Sequence, residues 1–255
     1  MKLFKQRKKN VSNVEFWNSN HSIEACDSRF GILWYEKYLI DLFIEKKNTS
    51  KVEQVIIIGC GTGREIYYLK KIFPNAKIIA NDISIKMLER CKKRLKNDSL
   101  EKNVDIIVGD AKEISRKYRN SDLIIIFNSV LNYILPLRNR VETITHLKSL
   151  LKNSGSIIGV AHNRFGRIDK TIYFLFKGLF AKIGLIKDDP GDRYGGFGGI
   201  KFPNHYFTSS ELLDLFKTCS LNEIDVMSLS ECSKIIGKQH NRWRSYNQLI
   251  FYAQK

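Results

Sequence analysis

Val55-Ile-Ile-Ile-Gly-Cys-Gly-Thr-Gly63 is the stretch on which the fold turns. Four consecutive β-branched or aliphatic residues that stop at a glycine read as a short strand buried on both faces. Glycines at 59, 61 and 63 then let the backbone turn sharply and let a ligand approach where a Cβ would stand in the way. The helix that follows, predicted from about Arg64 to Phe73 with Ile66, Leu69 and Phe73 on one face, turns its free N–H groups toward the same place. A dinucleotide fingerprint requires its third glycine three residues after the second. Arg64 occupies that position, so the pattern is not met.

Outward from this turn, strands and helices alternate, which is the pattern of a parallel sheet covered on both faces. Lys77–Ala80, Val104–Val108, Asp122–Phe127 and Ser156–Val160 read as strands two to five. Between them lie a helix capped by Ser84 and a helix marked by Val141, Ile144, Leu147 and Leu151, closed at Asn153-Ser-Gly155. A helix from Ser209 to Phe216 and strands at Asn222–Val226 and Leu249–Tyr252 complete seven strands. The expected architecture is one domain over residues 1–255, with an N-terminal helical cap region over 1–50 and an irregular insert over 163–207 after strand five. The insert holds the aromatic run Tyr173 to Phe180 and the glycine-rich stretch 191–199, and its length marks it as a lid or binding loop.

Composition narrows the classes. The apolar and charged fractions are those of a globular protein, and no apolar run is long enough to span a bilayer. The basic N-terminus lacks the apolar run of a secretory signal. Five scattered cysteines without a C-x-x-C pair fit reduced thiols and offer no metal site, so the cytoplasm is expected and no metal. The net charge of +17 admits a polyanionic partner. Two stretches carry the basic signal: the first ten residues, and the acid-free tail from Ser233 to Lys255 with Lys238, His240, Arg242, Trp243 and Arg244.

Further residues stand where chemistry would need them. Asp82 ends the second strand about twenty residues beyond the glycines, where a carboxylate can accept both hydroxyls of a ribose. Its structural alternative is a helix cap, a role Ser84 already fills. Asp110 follows strand three in Gly109-Asp-Ala111, and by itself is an ordinary turn residue. Phe127-Asn-Ser-Val-Leu-Asn-Tyr133 follows strand four.

In this order and at these intervals, the motifs resemble the class I S-adenosylmethionine-dependent methyltransferases over roughly Val55 to Val160. The resemblance implies a Rossmann-like, seven-stranded, mostly parallel sheet with helices on both faces and an antiparallel last strand. It implies S-adenosyl-L-methionine as cofactor, held by Gly59, Cys60, Gly61, Gly63, Asp82, Ile83, Met87, Asp110, Ala111 and Asn128, with Asp110 facing the adenine amino group and Ala111 lending a backbone contact. Many relatives carry an acidic residue two before the first glycine, where this chain has Ile57.

The expected function is O- or N-methylation of a small molecule, with two rivals. One is a tRNA or other RNA methyltransferase, motivated by the charge; the other is a non-catalytic cofactor-binding protein. On the acceptor side the candidates are His162, His205, Tyr206, Arg193 and Tyr194, of which His162 and His205 read equally as structural hydrogen-bonders. His146, inside a helix, reads as a solvated surface group. The acceptor's identity and the oligomeric state stay open at this level.

Overall fold

A computed structural model describes residues 10–28, 31–47, 51–195, 200–239 and 247–255. Of the stretches singled out above, residues 1–9, 196–199 and 240–246, with His240, Arg242, Trp243 and Arg244, lie outside the described residues.

The strands are β1 (Gln54–Ile58), β2 (Lys77–Asp82), β3 (Val104–Val108), β4 (Ser121–Ile126), β5 (Leu151–Ala161), β6 (Asp192–Gly195), β7 (Phe202–His205), β8 (Asn222–Ser228) and β9 (Leu249–Gln254). Seven of them form one sheet in the order β3-β2-β1-β4-β5-β9-β8. Only β9 runs antiparallel to its neighbours, pairing Ile158 with Tyr252 on one side and Val226 with Phe251 on the other. The parallel centre is in register, with Val55 opposite Ile78 in β2 and Leu123 in β4. The chain is thus a Rossmann-like α/β fold.

Strand periodicity sends alternate side chains of β1 to opposite faces, and both faces are covered. Val55 and Ile57 join a core completed by α3 (Trp34–Lys47), α4 (Arg64–Ile72) and α5 (Ile85–Asn97), through Leu39, Phe43, Ile66, Leu69 and Leu88. Ile56 and Ile58 join a second core with Ile144 and Leu147 of α6 (Leu137–Leu150) and with Leu212 and Phe216 of α8 (Ser209–Thr218). The N-terminal stretch adds α1 (Asn13–Trp17) and α2 (Asn20–Asp27) ahead of α3.

Three expectations differ from the structure. The Asn153-Ser-Gly155 stretch is not a helix-closing turn but the first part of β5, which pairs with β4 from Ser121↔Leu151 through a register shift. Gly155 is required there by space, since a Cβ would sit 2.8 Å from the Ser121 carbonyl oxygen. The insert is not irregular either. It folds into α7 (Ile168–Lys182) and the antiparallel hairpin β6–β7, with Arg193 opposite Asn204. The remaining helix, α9 (Leu229–Ile235), precedes β9. His146 is half-buried rather than solvated, its Nε2 2.8 Å from the Ile114 carbonyl oxygen.

Candidate active site

The strand order reverses between β1 and β4, and at that switch the carboxyl ends of neighbouring strands open a crevice. A cavity of about 920 Å³ fills it. Its floor is the 59–63 turn, at φ +53° for Gly61, where an added Cβ would meet nothing within 4 Å and so would project into open space. Gly63 has a different duty. It stands at the start of α4 at φ +91°, a Cβ there would lie 2.6 Å from Cys91 Sγ, and it is not among the cavity's lining residues. The spacing therefore serves two surfaces, one open to the cavity and one packed on α5.

Asp82 ties the turn to the end of β2. One carboxylate oxygen accepts the Gly61 N–H at 2.8 Å and the other the Ser84 N–H at 2.8 Å. Burial raises the carboxyl's pKa, and the N–H groups of Ser84, Gly61 and Ile83 pull it back. The carboxylate lines the cavity, already aligned by these amides. Ser84, as expected, caps α5 by accepting from Met87 N. Asp110 caps a short 3-10 turn through Lys112 N at 3.0 Å, so the plain turn role and a place in the cavity wall coexist. Ile83, Met87 and Ala111 line the cavity beside them. Cys60 also lines it, as an inert thiol: a hydrogen bond to Cys91 and burial both raise its pKa.

Asn128 and Ser129 continue β4 in the left-handed region, at φ +55° and +59°. Two successive non-glycine residues in that conformation are strained, and the surrounding bonds hold them. Asn128 accepts from Arg64 Nη2 at 2.9 Å and donates to Glu65 at 3.0 Å. Arg64 also reaches Glu36 of α3 at 2.5 Å, Glu65 at 2.9 Å and the Gly31 carbonyl at 2.8 Å. Burial raises the Glu65 carboxyl to about 7, with Glu36 adding to the rise and Arg64 opposing it. Glu36, Arg64 and Asn128 all line the cavity. Nothing in the sequence reading pointed to Glu36, and Arg64 entered only as the residue that breaks a dinucleotide pattern.

The opposite end of the cavity is aromatic. Trp17 of α1, Tyr133, Phe202 of β7, Tyr206 and His162 meet there, with ring centroids 5.4 Å apart for Trp17–Tyr133 and for Tyr133–Phe202, and 5.2 Å for His162–Tyr206. Tyr133 Oη and His162 Nε2 lie 3.2 Å apart. Burial lowers the His162 pKa to about 4, aided by the Lys170 charge, and raises that of Tyr133 well above the ordinary phenol. Trp17 and Phe202 were missed in the sequence, where only the general expectations of an N-terminal cap over 1–50 and of an insert over 163–207 were available.

The acceptor-side candidates divide. His162 and Tyr206 line the cavity, but His205, Arg193 and Tyr194 do not. His205 is buried on the far side of the hairpin, where its Nδ1 lies 2.7 Å from Asp192 and its Nε2 3.9 Å from Glu211 of α8. Arg193 lies over the Tyr173 ring of α7 at 4.8 Å, and Tyr194 is exposed. Alternation along β7 and its extension is the reason: His205 and Tyr206 are adjacent, so they point to opposite sides.

Residues 55–155 match a family described as a methyltransferase domain. A curated relative, the malonyl-[acyl-carrier protein] O-methyltransferase of Halalkalibacterium halodurans, is 35% identical over 124 residues, 47% of this chain and 44% of the relative. The chain thus matches under half the length of that relative. Among solved structures, a 1,6-didemethyltoxoflavin-N1-methyltransferase of Burkholderia thailandensis, bound to its substrate and S-adenosylhomocysteine, superposes with a TM-score of 0.61 at 13% identity, covering 94% of this chain and 85% of that one. A magnesium protoporphyrin IX methyltransferase of Synechocystis, with bound S-adenosylhomocysteine, gives 0.59 at 14%, covering 95% and 97%. At these identities the structural likeness speaks to the fold.

Proposed function

We propose that the chain, through its methyltransferase domain at residues 55–155, is a class I S-adenosylmethionine-dependent methyltransferase that transfers a methyl group from that cofactor to an ionised oxygen of a small-molecule acceptor. The observation that carries the cofactor half is Asp82, a buried carboxylate aligned by two backbone amides at the cavity wall. The open space above Gly61 and the Asp82 carboxylate at the cavity wall fit a nucleoside.

In this reading Asp82 accepts the ribose hydroxyls, Ile83 and Met87 flank the base, and Asp110 with Ala111 meets the adenine edge. Position 57 supplies no acidic group. Glu36 and Arg64, already paired at the same wall, would offer an anion to the cofactor's ammonium and a cation to its carboxylate. When bound, S-adenosylmethionine supplies a methyl group on a positively charged sulfur, and transfer depends chiefly on alignment of donor and acceptor.

The aromatic end of the cavity would hold the acceptor's body and exclude water around it. His162 is the polar group at that end. With its pKa at about 4, the imidazole is neutral at physiological pH and a poor proton store. It serves to orient the acceptor through a hydrogen bond, with Tyr133 as its partner. An acceptor that arrives ionised, such as a carboxylate, needs no base. The excess of cations over anions favours the arrival of such an anion, and the named activity of the curated relative is likewise an O-methylation.

Calorimetric titration and labelled methyl transfer test this. S-Adenosylhomocysteine is expected to bind and NAD not to, and label from S-adenosylmethionine is expected in products that release methanol in base, as methyl esters do. Absence of S-adenosylhomocysteine binding refutes the cofactor assignment. Binding with label only in base-stable N-methyl products refutes the ionised-oxygen acceptor alone.

A further inference from the structure

Helix α7 is amphipathic in the reverse of the usual sense. A surface helix ordinarily turns its apolar stripe to the core and its charges to water. In α7 the side facing the domain carries Lys170, Phe174 and Lys177. Phe174 alone in the helix is buried; it packs against Tyr206, ring centroids 5.1 Å apart. Lys177 Nζ donates to the carbonyls of Asp189 and Asp192, and Lys170 Nζ lies 5.8 Å from the centre of the Tyr206 ring. The outward side is apolar: Ile168, Ile172, Leu175, Phe176, Leu179 and Ile183 fall on one stripe, with Leu175 59% and Phe176 58% exposed. Leu185, just beyond the helix, is 71% exposed. A contiguous apolar face of this kind on a water-exposed helix marks a surface that something covers.

We propose that α7 lies in the plane of an anionic lipid surface, with its outward stripe in the acyl boundary and its domain-facing lysines holding it to the protein. The helix has the composition of an interfacial element, apolar on one side and cationic at its end, where Lys182 is exposed, with exposed Lys187 following beyond it. Its 15 residues extend about 22 Å, enough to lie on a bilayer but not to cross one. No helix among the described residues is long and apolar enough to cross a membrane.

Charge decides between lipid and a second copy of the chain as the occupant. Two copies would bring +17 against +17, whereas an anionic bilayer is complementary. The basic N-terminal segment, with Lys2, Lys5, Arg7, Lys8 and Lys9, joins the described chain at Asn10. There Val11 N donates to the Lys201 carbonyl, at the approach to β7. The partner strand β6 carries Arg193 onto Tyr173 of α7, so Val11 meets the hairpin that packs against this helix. Because Phe174 touches Tyr206, which lines the cavity, the docking face backs onto the aromatic end of the site. The proposal does not depend on the reaction assigned to the cavity.

Flotation of the full chain with vesicles of phosphatidylcholine alone, or of phosphatidylcholine with phosphatidylglycerol, tests it. Binding is expected to be at least about tenfold stronger to the anionic vesicles and to weaken with added salt. The triple variant Leu175→Glu, Phe176→Glu, Leu179→Glu should lose that binding at least about tenfold while keeping the wild-type circular dichroism. A milder probe, Leu175→Trp, should give a blue-shifted emission on anionic vesicles only. Equal or absent binding to both vesicle types overturns the proposal. So does a wild-type dimer in sedimentation that the triple variant dissociates, with no vesicle binding by either.

Discussion

Replacing Asp82 by Asn preserves shape and removes charge. In the wild type, one oxygen accepts the Gly61 N–H and the other the Ser84 N–H, each at 2.8 Å. The amide has a single acceptor oxygen, so one of these N–H groups would face an NH₂ instead. A lost hydrogen bond to a charged acceptor costs about 1.5–3 kcal/mol, and the buried N–H left behind adds to it. The folded state should therefore lose about 2 kcal/mol, read as a shift of the urea midpoint with an unchanged slope. If the carboxylate also accepts cofactor hydroxyls, binding loses a further amount of that order, which is about ten- to a hundredfold in Kd for S-adenosylhomocysteine. Calorimetry on the folded variant separates the two effects. A variant that unfolds earlier yet binds within about threefold of the wild type would show that Asp82 only braces the turn, and the assignment of a ribose contact would fail.

Acid should weaken the fold through His162. Its pKa is lowered to about 4 in the folded state and is near the ordinary 6.5 when unfolded, so its contribution is complete above pH 6.5 and is lost as pH falls toward 4. The loss should reach about 2 kcal/mol after allowance for the ring's partial exposure, and His162→Gln should flatten the stability curve across that window. An equal fall in unfolding free energy between pH 6.5 and pH 4 for the two proteins, measured by urea titration at each pH, would refute this. Gly159→Ala should destabilise strongly, because the new Cβ would stand 2.5 Å from the Ile126 carbonyl and 2.2 Å from Phe251 Cζ. A fall in unfolding free energy of at least about 2 kcal/mol is expected, and an unchanged urea midpoint would disprove the clash.

The local half of this site was legible in one dimension. Strand, glycine turn and helix follow each other directly along the chain, and Asp82 and Asp110 come at strand ends, so their places follow from the parallel crossover alone. Buried β-branched runs such as Val55–Ile58 and Asp122–Phe127 admit few alternatives, which is why the sheet could be read from pattern. Helix α7 defeated that reading because its polar residues face the domain. The usual rule for orienting an amphipathic stripe assumes water outside, and its apolar run then looks like irregular lid. His205 and Tyr206 show the same limit at shorter range. Both are plausible from position, and only the register of β7, set by its pairing with β6, decides that Tyr206 lines the cavity and His205 meets Asp192 within the hairpin. The Glu36–Arg64–Asn128 cluster joins residues 28 and 64 positions apart. No spacing rule links such distant residues; packing of α3 beside the start of α4 brings Glu36 to Arg64, and the left-handed exit from β4 brings Asn128. Sequence alone thus determined the sheet and the placing of the glycine turn, Asp82 and Asp110 at one end of the cavity, where contacts follow chain order. Tertiary packing decided the aromatic end, where the groups come from the first helices, the end of β5 and the hairpin and meet only when the chain is folded.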